Sequence, residues 1–346
     1  MDSEAMKARL AADEVLDSEE EPLRPPPISW GLRTRVPLAC LVGAAVVVLL
    51  CHGDVSRGLH VARATQVQHW DGKDVQMLDI EILNCMPGLL PRFWSAEPTG
   101  PPTEIRVLTY NLFWWNLFLQ RGGNGGSASR LIAQSGPFDI MGFQECEDVA
   151  RVIAEAGLAG QYGVFEGDGS KTCAICMAYK LVSWRLLSHG FHYVAKDNLG
   201  KRAAQWMRLQ HLQTGRKVYF LNHHGPLPLN SGGRCGGAAT AYNLLQMAGK
   251  FAQPGDAIIM VGDFNANGAS KTIQHLEWRL RKVFAGLMCG GIDNVFSNLG
   301  PEHVIDTRNL GNGGSDHDAL SVDFRVGKLP RQKRSWWWPN FLRLIW

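Results

Sequence analysis

Several apolar runs in this chain end on side chains able to bind a metal or move a proton, which constrains the fold more than any other feature. Ile258-Ile259-Met260-Val261 reads as a buried strand, and Gly262-Asp263-Phe264-Asn265 follows it at once. Ile105-Arg106-Val107-Leu108-Thr109-Tyr110 alternates as a strand does and delivers Asn111 at its end. The run at 138–143 delivers Gln144-Glu145 in the same way. Asp316 and His317 follow a Gly-rich loop at 311–314 and precede a short apolar strand at 319–324. Strands that end on reactive groups imply a sheet whose rim is the working surface. A carboxylate, an amide and an Asp-His dipeptide are the parts needed for metal-assisted phosphodiester hydrolysis.

Candidate strands lie at 105–110, 140–143, 173–179, 205–212, 218–222, 258–261, 292–296, 304–307 and 320–324, with candidate helices at 148–156, 239–252 and 272–283. In the second helix Ala241, Leu244, Leu245, Ala248 and Ala252 form one apolar face at helical spacing. Many strands with few helices suit an α/β sandwich.

In chain order the polar strand ends read TYN, FQE, NHHG, GDFN, GIDNVF and SDH. That order resembles the endonuclease/exonuclease/phosphatase superfamily, which includes deoxyribonuclease I, apurinic endonucleases, sphingomyelinases and inositol-polyphosphate phosphatases. The resemblance covers about residues 104–326. It implies a deoxyribonuclease I-like four-layer α/β sandwich, two packed mixed sheets flanked by helices. It also implies that Asn111, Glu145 and Asp316 surround a hard divalent cation. An all-oxygen set suits Mg²⁺, with Mn²⁺ or Ca²⁺ as alternatives, and argues against zinc. By the same resemblance Asp263 orients or deprotonates the attacking water, and Asn265 holds a phosphoryl oxygen. His317 matches the catalytic His, as general base or as transition-state stabiliser, and Asp293 the acid that fixes its tautomer. A second His follows the strand at 218–222, where His223 and His224 are adjacent. Neighbouring strand residues face opposite sides, so one of the two enters the cleft. Alignment on an Asn-Thr-His pattern selects His224, and on a His-x-x-Pro pattern His223; the reading favours His224 as phosphate binder or leaving-group acid. Arg202 weakly matches a family Arg.

The rest of the chain divides by composition. Residues 1–35 hold five Lys/Arg against eight Asp/Glu and a triple proline, the composition of a disordered acidic tail. Residues 36–51 are uncharged and strongly apolar, short for a spanning helix but preceded by Arg33 and Arg35. They are expected to act as a signal anchor that puts the catalytic domain in a lumen or outside the cell. Residues 52–103 form a stalk or linker, and 104–326 the catalytic domain. Residues 327–346 combine Lys328, Arg331, Lys333, Arg334 and Arg343 with Trp336-Trp337-Trp338 and Trp346, as a membrane-interface segment would. Six cysteines outside the apolar run allow up to three disulfides.

Residues 104–326 carry 21 basic and 18 acidic residues, so no strongly basic face announces nucleic acid. The expected substrate is a phosphoester, in nucleic acid or in a phospholipid head group. A nuclease-type phosphodiesterase comes first, a membrane-associated sphingomyelinase or phosphoinositide phosphatase second, and a non-catalytic interaction protein third. Nothing in the sequence predicts a protein partner. The segment 225–235 and the Trp114-Trp115 pair depart from the family's pattern and would flank the metal site.

Overall fold

A computed structural model of the chain describes residues 84–93, 101–113, 126–166 and 174–327. The acidic tail, the apolar run 36–51, Trp114-Trp115, Cys173 and the Trp-rich tail beyond 327 lie outside the described residues.

Twelve strands make two six-stranded sheets. The first runs β11 (Val304–Asn309), β12 (Leu320–Val326), β1 (Thr103–Asn111), β2 (Ile140–Gln144), β4 (Ile175–Lys180), β3 (Tyr162–Phe165). The second runs β5 (Trp184–Asp197), β6 (Gly200–His211), β7 (Lys217–His224), β8 (Ala257–Asp263), β10 (Asp293–Ser297), β9 (Arg281–Ala285). Each sheet is mixed: β1–β2 and β7–β8 are parallel, and the other pairs are antiparallel. Helices α1 (Ser127–Ser135) and α2 (Val149–Glu155) pack outside the first sheet, α3 (Gly237–Phe251) and α4 (Lys271–Leu276) outside the second. This is the two-sheet sandwich expected from the sequence.

The central strands are apolar along their whole length because both faces are covered. Ile259 and Val261 point between the sheets, against Ile105, Val107, Ile140 and Phe220. Ile258 and Met260 point outward, onto Leu244, Leu245 and Ile273 of the helices. Among these residues parity alone decides the side. Continued to the strand ends, it aims Asn111, Gln144, Asn222, His224, Asp263 and Asp293 into the crevice between the sheets.

Three strands and two helices depart from the sequence expectation. β5 carries two register shifts, at Leu186/Ser188 and Tyr193/Ala195, which break the alternation that would announce it. The helix expected at 272–283 stops at Leu276, and the β-branched and aromatic Val283-Phe284 pair with β10 instead. β3 is only four residues long, and α1 follows a Gly-rich stretch with no side-chain cap.

Residues 84–93, assigned by sequence to the linker, lie along α3. Asn243 Nδ2 donates to the Asn84 carbonyl (3.3 Å), Gln246 Nε2 to that of Leu89 (2.9 Å), and Arg279 Nε to that of Pro91 (2.9 Å). Leu90 and Phe93 add to the apolar layer beneath, and Cys85 is disulfide-bonded to Cys235. Of the cysteines in the described residues, Cys146 and Cys176 are buried free thiols and Cys289 an exposed one. Among the described residues no helix is long and apolar enough to cross a membrane.

Candidate active site

Two glycines set the local geometry. A Cβ on Gly262 would strike the His223 carbonyl, and one on Gly225 would strike that of Phe264. The ends of β7 and β8 therefore close on each other only with glycine at both positions. Directly beyond them Asn265 (φ 47°) adopts a left-handed backbone, as does Glu145 (φ 51°) after β2. Such dihedrals are sparse for non-glycine residues and cluster at functional sites.

The crevice gathers its polar groups around Asp263, which is buried. Its Oδ1 accepts the Asn265 backbone N–H (2.8 Å), and its Oδ2 accepts Asn111 Nδ2 (3.1 Å). The same Oδ2 lies 3.5 Å from His224 Nε2 and 3.8 Å from His317 Nε2. Asn111 Nδ2 also reaches Glu145 Oε1 (3.2 Å), so one amide bridges two carboxylates. On the far side of His317, Nδ1 meets both oxygens of Asp293, at 2.9 and 3.1 Å. Burial opposes charge on the His317 ring, but Asp263 and the Asp293 hydrogen bond outweigh it and raise its pKa.

The structure brings Asn111, Glu145, His224, Asp263, Asn265, Asp293 and His317 together. Asp316 joins them electrostatically: desolvation and then its charge push Glu145 up to about 7. His223 does not join. It projects from the other face of β7, fully buried, with Nδ1 donating to the Ala203 carbonyl (2.8 Å) and its ring edge-on to Phe264. Burial holds its pKa down at about 4, so the ring is neutral and its role is in packing. Burial, then Arg202 and the neighbouring imidazoles, lower His224 well below its ordinary value. Arg202 is committed to Asp197 (2.7 Å).

Three supporting side chains lie within the motifs SDH, FQE and NHHG, but the sequence reading gives them no role. Ser315 Oγ donates to the Asn111 carbonyl (2.7 Å) and accepts the His317 N–H (3.1 Å), tying the SDH loop to β1. Beneath the site Gln144 Nε2 donates to Asn222 Oδ1 (2.6 Å), and Asn222 Nδ2 to the carbonyls of Phe143 (2.8 Å) and Cys176 (3.0 Å). This amide pair stitches one sheet to the other just below Glu145.

Two donor sets could hold a cation. Asp263, Asp293 and His317 present ligand atoms within 4.8 Å of one another. Asp293, however, spends both oxygens on His317 Nδ1. Asn111, Glu145 and Asp316 are the second set. Burial and then the Asp316 charge raise Glu145, and a divalent cation relieves that repulsion. Asn111 aims Nδ2 at Glu145 and Asp263 while its Oδ1 accepts the Phe113 N–H (3.0 Å), so oxygen ligation requires the amide to turn over. With the amide turned, the set is all oxygen, which suits a hard cation.

No family profile matches the sequence, and no curated protein does. Solved structures do match. A protein of Bacteroides thetaiotaomicron described as of the endonuclease/exonuclease/phosphatase family is 18% identical, with TM-score 0.52 over 67% of this chain and 98% of that one. The fold is the endonuclease/exonuclease/phosphatase fold. A Bacteroides vulgatus endonuclease/exonuclease/phosphatase matches at 17% identity and TM-score 0.51, over 65% of this chain and 99% of that one. A functionally unknown conserved protein of Enterococcus faecalis matches at 14% identity and TM-score 0.51, over 65% of this chain and 100% of that one. Nearly the whole of each neighbour thus has a counterpart here, and at these identities the likeness is one of fold. In this endonuclease/exonuclease/phosphatase fold the crevice around Asp263 lies at the ends of both parallel strand pairs.

Proposed function

We propose that the chain is a divalent-cation-dependent phosphoester hydrolase, a phosphodiesterase of the nuclease type, in which water attacks phosphorus. The observation that carries this reading is Asp263 Oδ2, faced by two imidazole Nε2 atoms and the Asn111 amide, with Asp293 backing His317. A carboxylate so surrounded is aimed at one point, as a group that orients or deprotonates a water must be. His317, oriented by Asp293, stabilises negative charge building on the phosphoryl oxygens. Asn265 contributes an amide hydrogen to the same oxygens. His224, neutral and next to Asp263, binds the phosphate or assists the departing oxygen. Asn111, Glu145 and Asp316 would hold Mg²⁺, with Mn²⁺ or Ca²⁺ as alternatives; the cation supplies Lewis-acid neutralisation of phosphoryl charge.

The test is turnover by the full chain of plasmid DNA, sphingomyelin vesicles and soluble inositol phosphates, with Mg²⁺ or EDTA. Turnover of DNA supports the nuclease reading. Turnover of vesicles alone would move the assignment to a membrane-associated sphingomyelinase or phosphoinositide phosphatase. That second reading is supported by the apolar run at 36–51 and the Trp-rich basic tail, which also support a single-pass membrane location with a lumenal or extracellular catalytic domain. Activity that survives Asp263→Ala and His317→Ala would contradict the proposed centre, and no activity on any substrate would favour a non-catalytic role.

A further inference from the structure

The segment between β7 and α3, residues 225–236, has no role in the chemistry above, yet it bonds to the catalytic turn at two separate points. Gly225 N donates to the Asp263 carbonyl (2.7 Å), and the Gly225 carbonyl accepts Asn265 Nδ2 (3.0 Å). Further along, Asn230 N donates to the Asn265 carbonyl (2.8 Å), while Asn230 Oδ1 accepts the Asn267 N–H (2.8 Å). Asn265 is thus gripped by its side chain from Gly225 and by its carbonyl from Asn230. The Gly225 bond uses one of the two amide hydrogens and so fixes the plane in which the second points. Both asparagines are left-handed, with φ 47° at Asn265 and 66° at Asn230. A turn in that region of dihedral space persists only where its surroundings enforce it.

The other end of the segment is anchored away from the site. Leu227 N donates to Asp197 Oδ2 (2.9 Å), Arg234 N donates to the Lys196 carbonyl (2.7 Å), and Cys235 is bonded to Cys85 of the strap along α3.

We propose that residues 225–236 are a clamp that holds Asn265 in working orientation, with Asn230 as its positioning residue and the Cys85–Cys235 disulfide as its anchor. The clamp works together with the strap at 84–93. Its kinetic consequence rests on the phosphoester-hydrolase reading, while its structural consequence does not.

Asn230→Gly keeps the left-handed backbone and the N–H on the Asn265 carbonyl but removes the acceptor of the Asn267 N–H, through which the side chain braces the turn, whereas Asn230→Asp keeps an acceptor. Both are made in the full chain beside a Cys85→Ser/Cys235→Ser double variant. Amide hydrogen exchange is followed through 260–270, and kcat and KM are measured on the substrate the wild type turns over. Asn230→Gly is expected to lower kcat by roughly ten- to a hundredfold with KM within about twofold. Exchange should quicken at Asn265 and Asn267 while the second sheet stays protected. Asn230→Asp should restore most of both, and the double cysteine variant should repeat the local exchange change. Unchanged exchange at Asn265 and Asn267 in Asn230→Gly would overturn the clamp. Protection lost throughout the sheet, with Asn230→Asp as impaired as Asn230→Gly, would overturn it equally. If the wild type is inactive on every phosphoester, the hydrolase reading falls and the exchange results decide the clamp alone.

Discussion

The pKa values of His317 and His223 are driven in opposite directions, and their surroundings explain both. Burial opposes charge on each ring, but His317 faces Asp263 and Asp293, while His223 faces a carbonyl and an aromatic edge. The Asp293–His317 contact leads to a kinetic expectation. Asp293→Asn should lower kcat by about ten- to a hundredfold with little change in KM, because the ring loses its orientation and its charge support. An unchanged kcat would remove Asp293 from the centre. For His223 the consequence is in stability. Its folded pKa, about 4, lies below the ordinary 6.5, so the unfolded chain takes up a proton that the folded chain refuses. Stability from this residue is therefore intact above pH 6.5 and falls as pH drops toward 4, by on the order of 3 kcal/mol. His224 acts in the same direction. Urea melts between pH 7.5 and 4.5 should show that loss, and His223→Gln should flatten part of it; parallel curves would contradict the assignment. Strand parity in the sequence already requires the two histidines to diverge, but nothing local says which face of β7 meets the other sheet. That depends on partners distant in sequence, such as Phe220 packing on Ile105 and Val107.

At the scale of elements, strands with both faces covered were legible because their sequences are apolar without interruption, as in β8. β5 and β9 were not, because they lie at sheet edges, where exposure and register shifts dilute the pattern. The Gln144–Asn222 pair was invisible for another reason: each residue looks like an ordinary strand-end amide, and only stacking the sheets makes them partners. Asn222 is fully buried and serves Gln144, Phe143 and Cys176 at once. Replacing it with Leu removes all three of these bonds between the sheets and leaves Gln144 Nε2 only Thr109 Oγ1 (3.2 Å). Asn222→Leu should destabilise the protein by about 3 kcal/mol or more in urea unfolding. A cost below about 1 kcal/mol would mean that the bridge contributes little to joining the sheets.

For the molecule as a whole, the motif order led correctly to the two-sheet sandwich, yet packed structure extends further back than the motifs reach. Residues 84–93 read as linker because Pro and Gly punctuate them, but Leu90, Phe93 and Cys85 bind them to the second sheet's helices. The disulfide closes a loop of sequence separation 150. In chain-entropy terms, Cys85→Ser/Cys235→Ser should lower unfolding stability by roughly 4–5 kcal/mol. A midpoint unmoved by the double substitution would show that the strap holds without it. In the proposed function, Asp263, His317 and a cation held by Asn111, Glu145 and Asp316 hydrolyse a phosphoester at the cleft. Its most direct test is initial-rate hydrolysis by the full chain on plasmid DNA, sphingomyelin vesicles and inositol phosphates, with Mg²⁺ against EDTA and beside Asp263→Ala. Turnover of one substrate that both EDTA and Asp263→Ala abolish is the predicted result. Turnover that persists in EDTA or in Asp263→Ala, or folded protein inert on all three, would contradict it.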